Sequence, residues 1–231
     1  MTYQYSYLIG DLVLLVFWSI LFYLRKDVRK EMLAISLIFG IIGIFTGFIY
    51  FLDWWHPQTI TNTTISLEDF LFGFVIAGIA SVIYITLFRK KLKFKKLKQK
   101  LKSNKILLLV FVFAIIFFVS LYILKLNTFY SAIISFLILI FFIWFKRKDL
   151  ILNSLISGIL LVIISVPAYL IPEFITPGWI QASWYFENLS GITFFKVPIE
   201  DFIWIFLTGA FIGPLYEFYK EAKVVSLTKK G

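Results

Sequence analysis

Seven long apolar runs dominate this chain and leave little choice of fold: Leu8–Leu24, Met32–Leu52, Leu67–Phe88, Ile106–Leu124, Thr128–Phe145, Leu150–Ile171 and Ile199–Tyr219. A helix needs about 20 apolar residues to cross the hydrocarbon core of a bilayer, and every run is near that length. Inside lipid each backbone N–H and C=O must be satisfied within its own segment, so such runs have to be helices. Of the 231 residues 61% are apolar, against roughly 45–50% in soluble domains, and the mean hydropathy is +0.92. The expectation is an all-α transmembrane protein, a seven-helix bundle passing repeatedly through the cell membrane. Met1 to Tyr7 holds no basic residue and no small-residue cleavage site follows, so the first run is expected to remain a span.

Charge sets the orientation. Of the 23 basic residues, 21 lie in Arg25–Lys30, Arg89–Lys105, Lys146–Lys148 and a tail with Lys220, Lys223, Lys229 and Lys230; only Lys125 and Lys196 fall elsewhere. Seven spans put all four basic stretches on one face, and the positive-inside rule makes that face cytoplasmic. The N-terminus is then outside and the C-terminus inside. The net charge of +10 is read as topology, with no nucleic-acid partner implied. The Arg89–Lys105 loop, with Phe94, Leu97 and Leu101 at near-helical spacing, reads either as a solvated topogenic loop or as a segment on the anionic inner leaflet. There is no cysteine, which excludes disulfides and thiolate sites, and the single histidine, His56, cannot build a multi-histidine metal centre. No metal or cofactor is expected, and His56 reads as an interfacial loop residue.

The chain also repeats itself. Each half contains a span, a short basic loop, a second span and an aromatic outer loop, then a Glu-Asp pair opening a third span. The outer loops are Asp53-Trp54-Trp55-His56-Pro57 in one half, and Gly178-Trp179 with Trp184-Tyr185-Phe186-Glu187-Asn188 in the other. Two such units in tandem would be inverted; the fourth span restores them to parallel, giving 3 + 1 + 3 about an axis along the membrane normal. The division is residues 1–105 for the first unit with its basic loop, 106–125 for the linking helix and 126–231 for the second unit with the tail. Gly40, Gly43, Gly47 and Gly73 suit close helix contact.

The Glu-Asp pairs are the best candidate for chemistry. One reads Ser66-Leu67-Glu68-Asp69-Phe70-Leu71-Phe72, the other Pro198-Ile199-Glu200-Asp201-Phe202-Ile203-Trp204. Ser and Pro start helices, and the residue four beyond each Glu lies one turn further on the same face, which places Phe72 under Glu68 and Trp204 under Glu200. Acids in a first turn also serve the helix dipole, and Ser66 to Asp69 is close to a capping box. Both readings stand on the residues alone.

The motif Pro198-Ile199-Glu200-Asp201-Phe202, preceded by Gly191, Ile192 and a Trp-containing loop, resembles that of the integral-membrane lycopene cyclases of archaea, some bacteria and fungi. The first half departs from it with Ser66 for proline and Asp69 as the second acid. The resemblance covers about residues 3–88 and 127–219. It implies a lycopene β-cyclase that turns linear ψ ends into β-rings by proton transfer with no net redox change. Within that reading Pro198 fixes the start of its helix and Trp204 gives Glu200 the drier, more aromatic setting, so Glu200 is expected to be the proton donor, with Asp201, Glu68 and Asp69 holding its proton or serving as base. Phe70, Phe72, Phe202, Trp204, Trp55 and Trp184 would contact the substrate, their faces steadying a carbocation. The partners implied are a lipophilic carotenoid, membrane lipid and other carotenoid enzymes. No G-x-G-x-x-G fingerprint occurs, so the flavin-binding cyclase type is not indicated. The alternatives are a small 3 + 1 + 3 transporter, which wants polar groups at the midplane, and another carotenoid-modifying or carotenoid-binding protein of this family. A retinal photoreceptor needs a lysine within its last helix, and none lies between Ile199 and Tyr219.

Overall fold

The computed structural model describes residues 2–93 and 104–226. Each apolar run is helical: α1 (Ser6–Leu24), α2 (Arg29–Tyr50), α3 (Leu67–Leu87), α4 (Asn104–Tyr122), α5 (Thr128–Lys146) and α6 (Ile151–Ile175), then a short α7 (Trp179–Ser183), α8 (Ile199–Ile212) and α9 (Leu215–Lys220). Among the described residues six helical stretches are long and apolar enough to cross a membrane, and Leu108–Tyr122 of α4 adds a shorter apolar one. Large side chains such as Phe45, Phe111, Phe145 and Phe174 stand exposed on the outside of the bundle, as lipid-facing residues do. The molecule is a multi-pass membrane protein.

Two helices end differently from the expectation. The sixth span runs on through Pro167 and Pro172 to Ile175, where the sequence suggests an end at Ile171. Pro172 lacks the N–H that would bond the Ala168 carbonyl, and that carbonyl lies against Gly10 of α1, where an added Cβ would stand 2.8 Å away. Membrane helices tolerate proline where a neighbouring helix covers the opened backbone. The last span breaks at Gly213-Pro214, and α9 restarts beyond it.

The all-α expectation needs one amendment: two short antiparallel ribbons. β1 (Lys90–Lys93) pairs with β4 (Lys223–Ser226), Leu92 opposite Val224, because both side chains pack on Val28, Met32, Val82 and Ile85. This pairing brings the ends of the third and last spans to one end of the bundle. β2 (Thr193–Phe194) pairs with β3 (Val197–Pro198) just before α8. Phe94, Leu97 and Leu101, which carry the inner-leaflet reading of the Arg89–Lys105 loop, and the tail lysines Lys229 and Lys230 lie outside the described residues.

Helix packing follows the repeat. α2 lies along α3 as α6 lies along α8, α1 packs on α3 as α5 packs on α8, and α3 meets α8. The corners match as well: Arg25 bonds Asp27 and reaches Thr86 and the Lys90 carbonyl, while Arg147 bonds Asp149 and reaches the carbonyls of Glu217 and Ala222. Each arginine thus fastens the far end of its own unit's third helix. Small residues close the seams. A Cβ on Gly43 would collide with the Asp69 carbonyl and one on Gly73 with the Phe39 carbonyl, while one on Gly209 would stand 2.8 Å from the Gly158 Cα.

Candidate active site

Two outer loops roof one end of the bundle and lock to each other. The His56 amide donates to the Ser183 carbonyl at 2.9 Å and the Tyr185 amide to the Trp54 carbonyl at 3.1 Å, so Trp55 and Trp184 form an isolated β-bridge with ring centroids 4.1 Å apart. Asp53 caps α5 of the other unit, accepting from the Thr128 amide at 3.1 Å and from its hydroxyl. Glu173 accepts from the Gly178 and Ile180 amides and pairs with Lys196 at 3.1 Å. His56 stacks on Tyr185 at 3.8 Å, and burial pushes its pKa down.

Beneath this roof the four predicted acids divide into two kinds. Glu68 accepts from the Ile60 amide at 2.7 Å, and Glu200 from the Ser190 amide at 2.7 Å. Each glutamate therefore ties down the loop that leads to its helix. The aspartates turn inward and line a common cavity. Successive helical residues are rotated by about 100°, so the aromatics three positions beyond each Asp share its face. Phe72 and Trp204 accordingly stand on the Asp69 and Asp201 faces, and neither glutamate lines the cavity. This is a correction to the expected pairing of each aromatic with a glutamate.

The two aspartates are held differently, and the residue in front of each helix explains why. Ser66 makes a full capping box with Asp69: its hydroxyl accepts from the Asp69 amide at 3.1 Å, while its own amide and hydroxyl donate to the carboxylate at 3.2 and 2.8 Å. The Tyr7 hydroxyl adds a 3.3 Å bond. Pro198 has neither an N–H nor a hydroxyl to offer, so Asp201 makes no such box. Its carboxylate accepts instead from the Tyr169 hydroxyl and, at 3.3 Å, from the Trp184 indole. At Asp69, then, capping and a place on the cavity coexist; at Asp201 only the second remains.

The cavity is lined from every long helix of the bundle, α1 to α6 and α8. Its walls are nearly all apolar or aromatic. Phe72 and Trp204 stack across the boundary between units at 6.1 Å, Tyr7 meets Trp55 edge-on at 5.4 Å, and the Trp204 indole donates to the Tyr50 hydroxyl at 3.3 Å. Along α8 the lining runs from Asp201 to Ile212, about 16 Å at 1.5 Å per residue.

Of the predicted substrate-contacting aromatics, Phe72, Trp204, Trp55 and Trp184 line this cavity. Phe70 packs on Phe74 and over Gly40, and Phe202 on Tyr169 and Phe194; neither reaches the cavity. The structure adds Tyr7, Tyr169 and Asp11, which the sequence reading passed over. Asp11 is the one acid inside the first apolar run, and an ionisable residue within a span is by itself a pointer to function.

Fold and cavity together define a membrane protein whose helix bundle holds a chamber carrying three carboxyl groups, Asp11, Asp69 and Asp201, among aromatic faces. Residues 127–219 match the sequence model of the lycopene cyclase family. The match covers the second unit, with Tyr169, Trp184, Asp201 and Trp204. No curated protein and no solved structure matches the chain.

Proposed function

We propose that the protein is a lycopene β-cyclase of the cell membrane, with Asp201 rather than Glu200 as its proton donor. The observation that carries this reading is the position of Asp201: it lies in the family-matched segment and faces an aromatic chamber that Asp69 enters from the other unit. In the reaction the acid protonates the terminal alkene of a linear ψ end. The next double bond closes on the cation to make the ring, and loss of a proton from the ring leaves a β end. The faces of Phe72, Trp204 and Trp55 stabilise the passing positive charge. A chamber about 16 Å deep at 1.5 Å per residue is about half of a hydrocarbon core of ~30 Å. A C40 polyene is about as long as that core is thick, so one end enters and the rest lies between the helices and lipid.

This reading keeps the parallel 3 + 1 + 3 layout, with units at residues 1–105 and 126–231 about the helix of residues 106–125. It puts the N-terminus and the chamber mouth on the outer side. Reporter fusions at Asp53 and at Lys98 are then expected on opposite sides of the membrane. The deciding experiment is expression in a lycopene-accumulating host with pigments read by chromatography. Cyclised carotenoid is expected, and unchanged lycopene at good protein level refutes the function.

A further inference from the structure

Four residues that line the chamber hold buried polar atoms with no partner among the described residues: Asp11 with both carboxyl oxygens, Trp54 and Trp179 with their indole N–H groups, and Thr208 with its hydroxyl. Three of them have a retreat. The two indoles stand among rings met edge-on, whose faces accept weakly from an N–H. A threonine hydroxyl in a helix can turn back onto the carbonyl one turn before it, as Thr86 does onto Val82 at 2.7 Å. Asp11 is placed differently. It lies in α1 one turn beyond Tyr7 and is 1% exposed. It has two oxygens to satisfy, and a carbonyl of its own helix could meet only one of them. The fold itself does not call for an acid here. Setting Arg25-Lys26-Asp27 against Arg147-Lys148-Asp149 aligns α1 with α5 and places Ile133 opposite Asp11. A polar group buried without a partner is destabilising, so its presence in one unit alone points to a ligand.

A carboxyl enclosed by apolar walls, with other carboxyls in the same chamber and no bond to hold a charge, keeps its proton. Neutral Asp11 then presents an O–H on one oxygen and an acceptor on the other. A hydroxyl gives one hydrogen bond and takes one, so it meets both at once. A hydrocarbon end meets neither. A lone water would need two to four polar partners of its own, in walls that are nearly all apolar. We propose that Asp11 binds a hydroxyl group on the polyene, so that the chamber takes a linear carotenoid with a hydroxylated end in preference to lycopene; this rests on the cyclase reading above and narrows its substrate class. The hydroxyl sits on a methylene carbon between the two alkenes that react, where it leaves both intact. The cyclisation is the one already described, and the hydroxyl passes through it unchanged onto the β ring. Asp11 neither gives nor takes a proton; it selects the end and orients it.

The test uses the full chain in phosphatidylcholine liposomes with two probes at equal mole fraction. One is lycopene, the other lycopene hydroxylated on such a methylene carbon at both ends. Affinity is read from quenching of tryptophan fluorescence by the polyene, which needs no turnover. A buried donor or acceptor left unpaired costs about 5- to 150-fold in binding, so wild type is expected to favour the hydroxylated probe by at least ~5-fold. Asp11→Asn keeps a donor and an acceptor and is expected to retain the preference. Asp11→Ile, which copies the residue of the other unit, is expected to lose it. Equal affinity of wild type for the two probes overturns the proposal without any variant, and is the result expected if Asp11 holds only water. A wild-type preference in Asp11→Ile overturns it as well, and Asp11→Ala serves the same comparison should Asp11→Ile not fold. Product analysis keeps the two readings apart: hydroxylated β rings are expected from the second probe, and no cyclised product from either probe refutes the cyclase reading, while the affinity ratio still decides the role of Asp11.

Discussion

The sharpest prediction sets Asp201→Asn against Glu200→Gln, two neighbours that differ in which way they face. Asp201→Asn keeps size and shape, and the Tyr169 hydroxyl can still donate to the amide oxygen. What goes is the transferable proton and the 3.3 Å bond from the Trp184 indole, which would meet an NH2 group. A lost neutral hydrogen bond costs about 0.5–1.5 kcal/mol, too little to unfold the protein. Loss of a general acid costs about 10²–10⁴-fold in rate, which is about 2.7–5.5 kcal/mol in the barrier. Glu200→Gln retains an oxygen for the 2.7 Å bond from the Ser190 amide and removes nothing from the chamber, so its rate is expected within about threefold of wild type. The two variants therefore differ by at least ~30-fold on this reasoning. The assay is the initial rate of cyclised pigment in isolated membranes, normalised to protein by immunoblot. An equal loss in both, or a larger one in Glu200→Gln, refutes the assignment and returns the glutamate to the donor role.

Tyr169→Phe keeps the ring on Phe202 but removes a neutral hydrogen bond to the protonated Asp201, worth about 0.5–1.5 kcal/mol; turnover is expected to fall about 2- to 10-fold with KM little changed. Gly43→Ala drives a methyl into the Asp69 carbonyl of α3, and overpacking of this kind costs about 1–3 kcal/mol. A melting curve in detergent should show it clearly below Gly40→Ala, whose methyl meets only the edge of the Phe70 ring. His56 has its pKa lowered by burial in the folded protein, so the folded state binds fewer protons than the unfolded chain between the two values. Its stabilising contribution is whole above the free value of about 6.5 and fades as pH falls through the folded value. The melting temperature of wild type should drop more than that of His56→Gln between about pH 7.5 and about pH 5.

The helices were legible because lipid enforces them: every apolar run is a helix, and the register of the two units is carried by short repeats such as Arg25-Lys26-Asp27 and Arg147-Lys148-Asp149. Exact ends were not legible, since nothing in Pro172 or Pro214 says which proline a neighbouring helix will cover. The site was half legible. The Glu-Asp pairs and four of the aromatics come to the chamber region, but a one-residue step in a helix turns a side chain by about 100°, and the sequence could not say whether Glu or Asp faced inward. Tyr7 and Tyr169 escaped because aromatics are common throughout such a chain, 20% of it, and carry no signal until their hydroxyls meet a carboxylate. Asp11 had a signal, an acid inside a span, which the attraction of the paired motif obscured.

The two units share a plan but not a chemistry, and the differences are complementary. The alignment that sets Arg25 against Arg147 places Gly47 of α2 opposite Tyr169 of α6, and Tyr7 of α1 opposite Phe129 of α5. Each aspartate thus has one tyrosine, but from a different helix: Asp69 from the first of its unit, Asp201 from the second. Gly47 is what the exchange requires, since a Cβ there would collide with the Asp69 carboxylate; Asp69 occupies the room that the side chain at this position takes in the other unit. Its carboxylate is also committed to Ser66 through two bonds that Pro198 cannot make. Asp69 is thus held by the start of its own helix, whereas the oxygens of Asp201 are met by the Tyr169 hydroxyl and the Trp184 indole, side chains that themselves line the chamber. On the proposed two-unit layout each unit supplies one acid to the chamber, and the difference between Ser66 and Pro198 at the heads of their helices makes the two acids unequal.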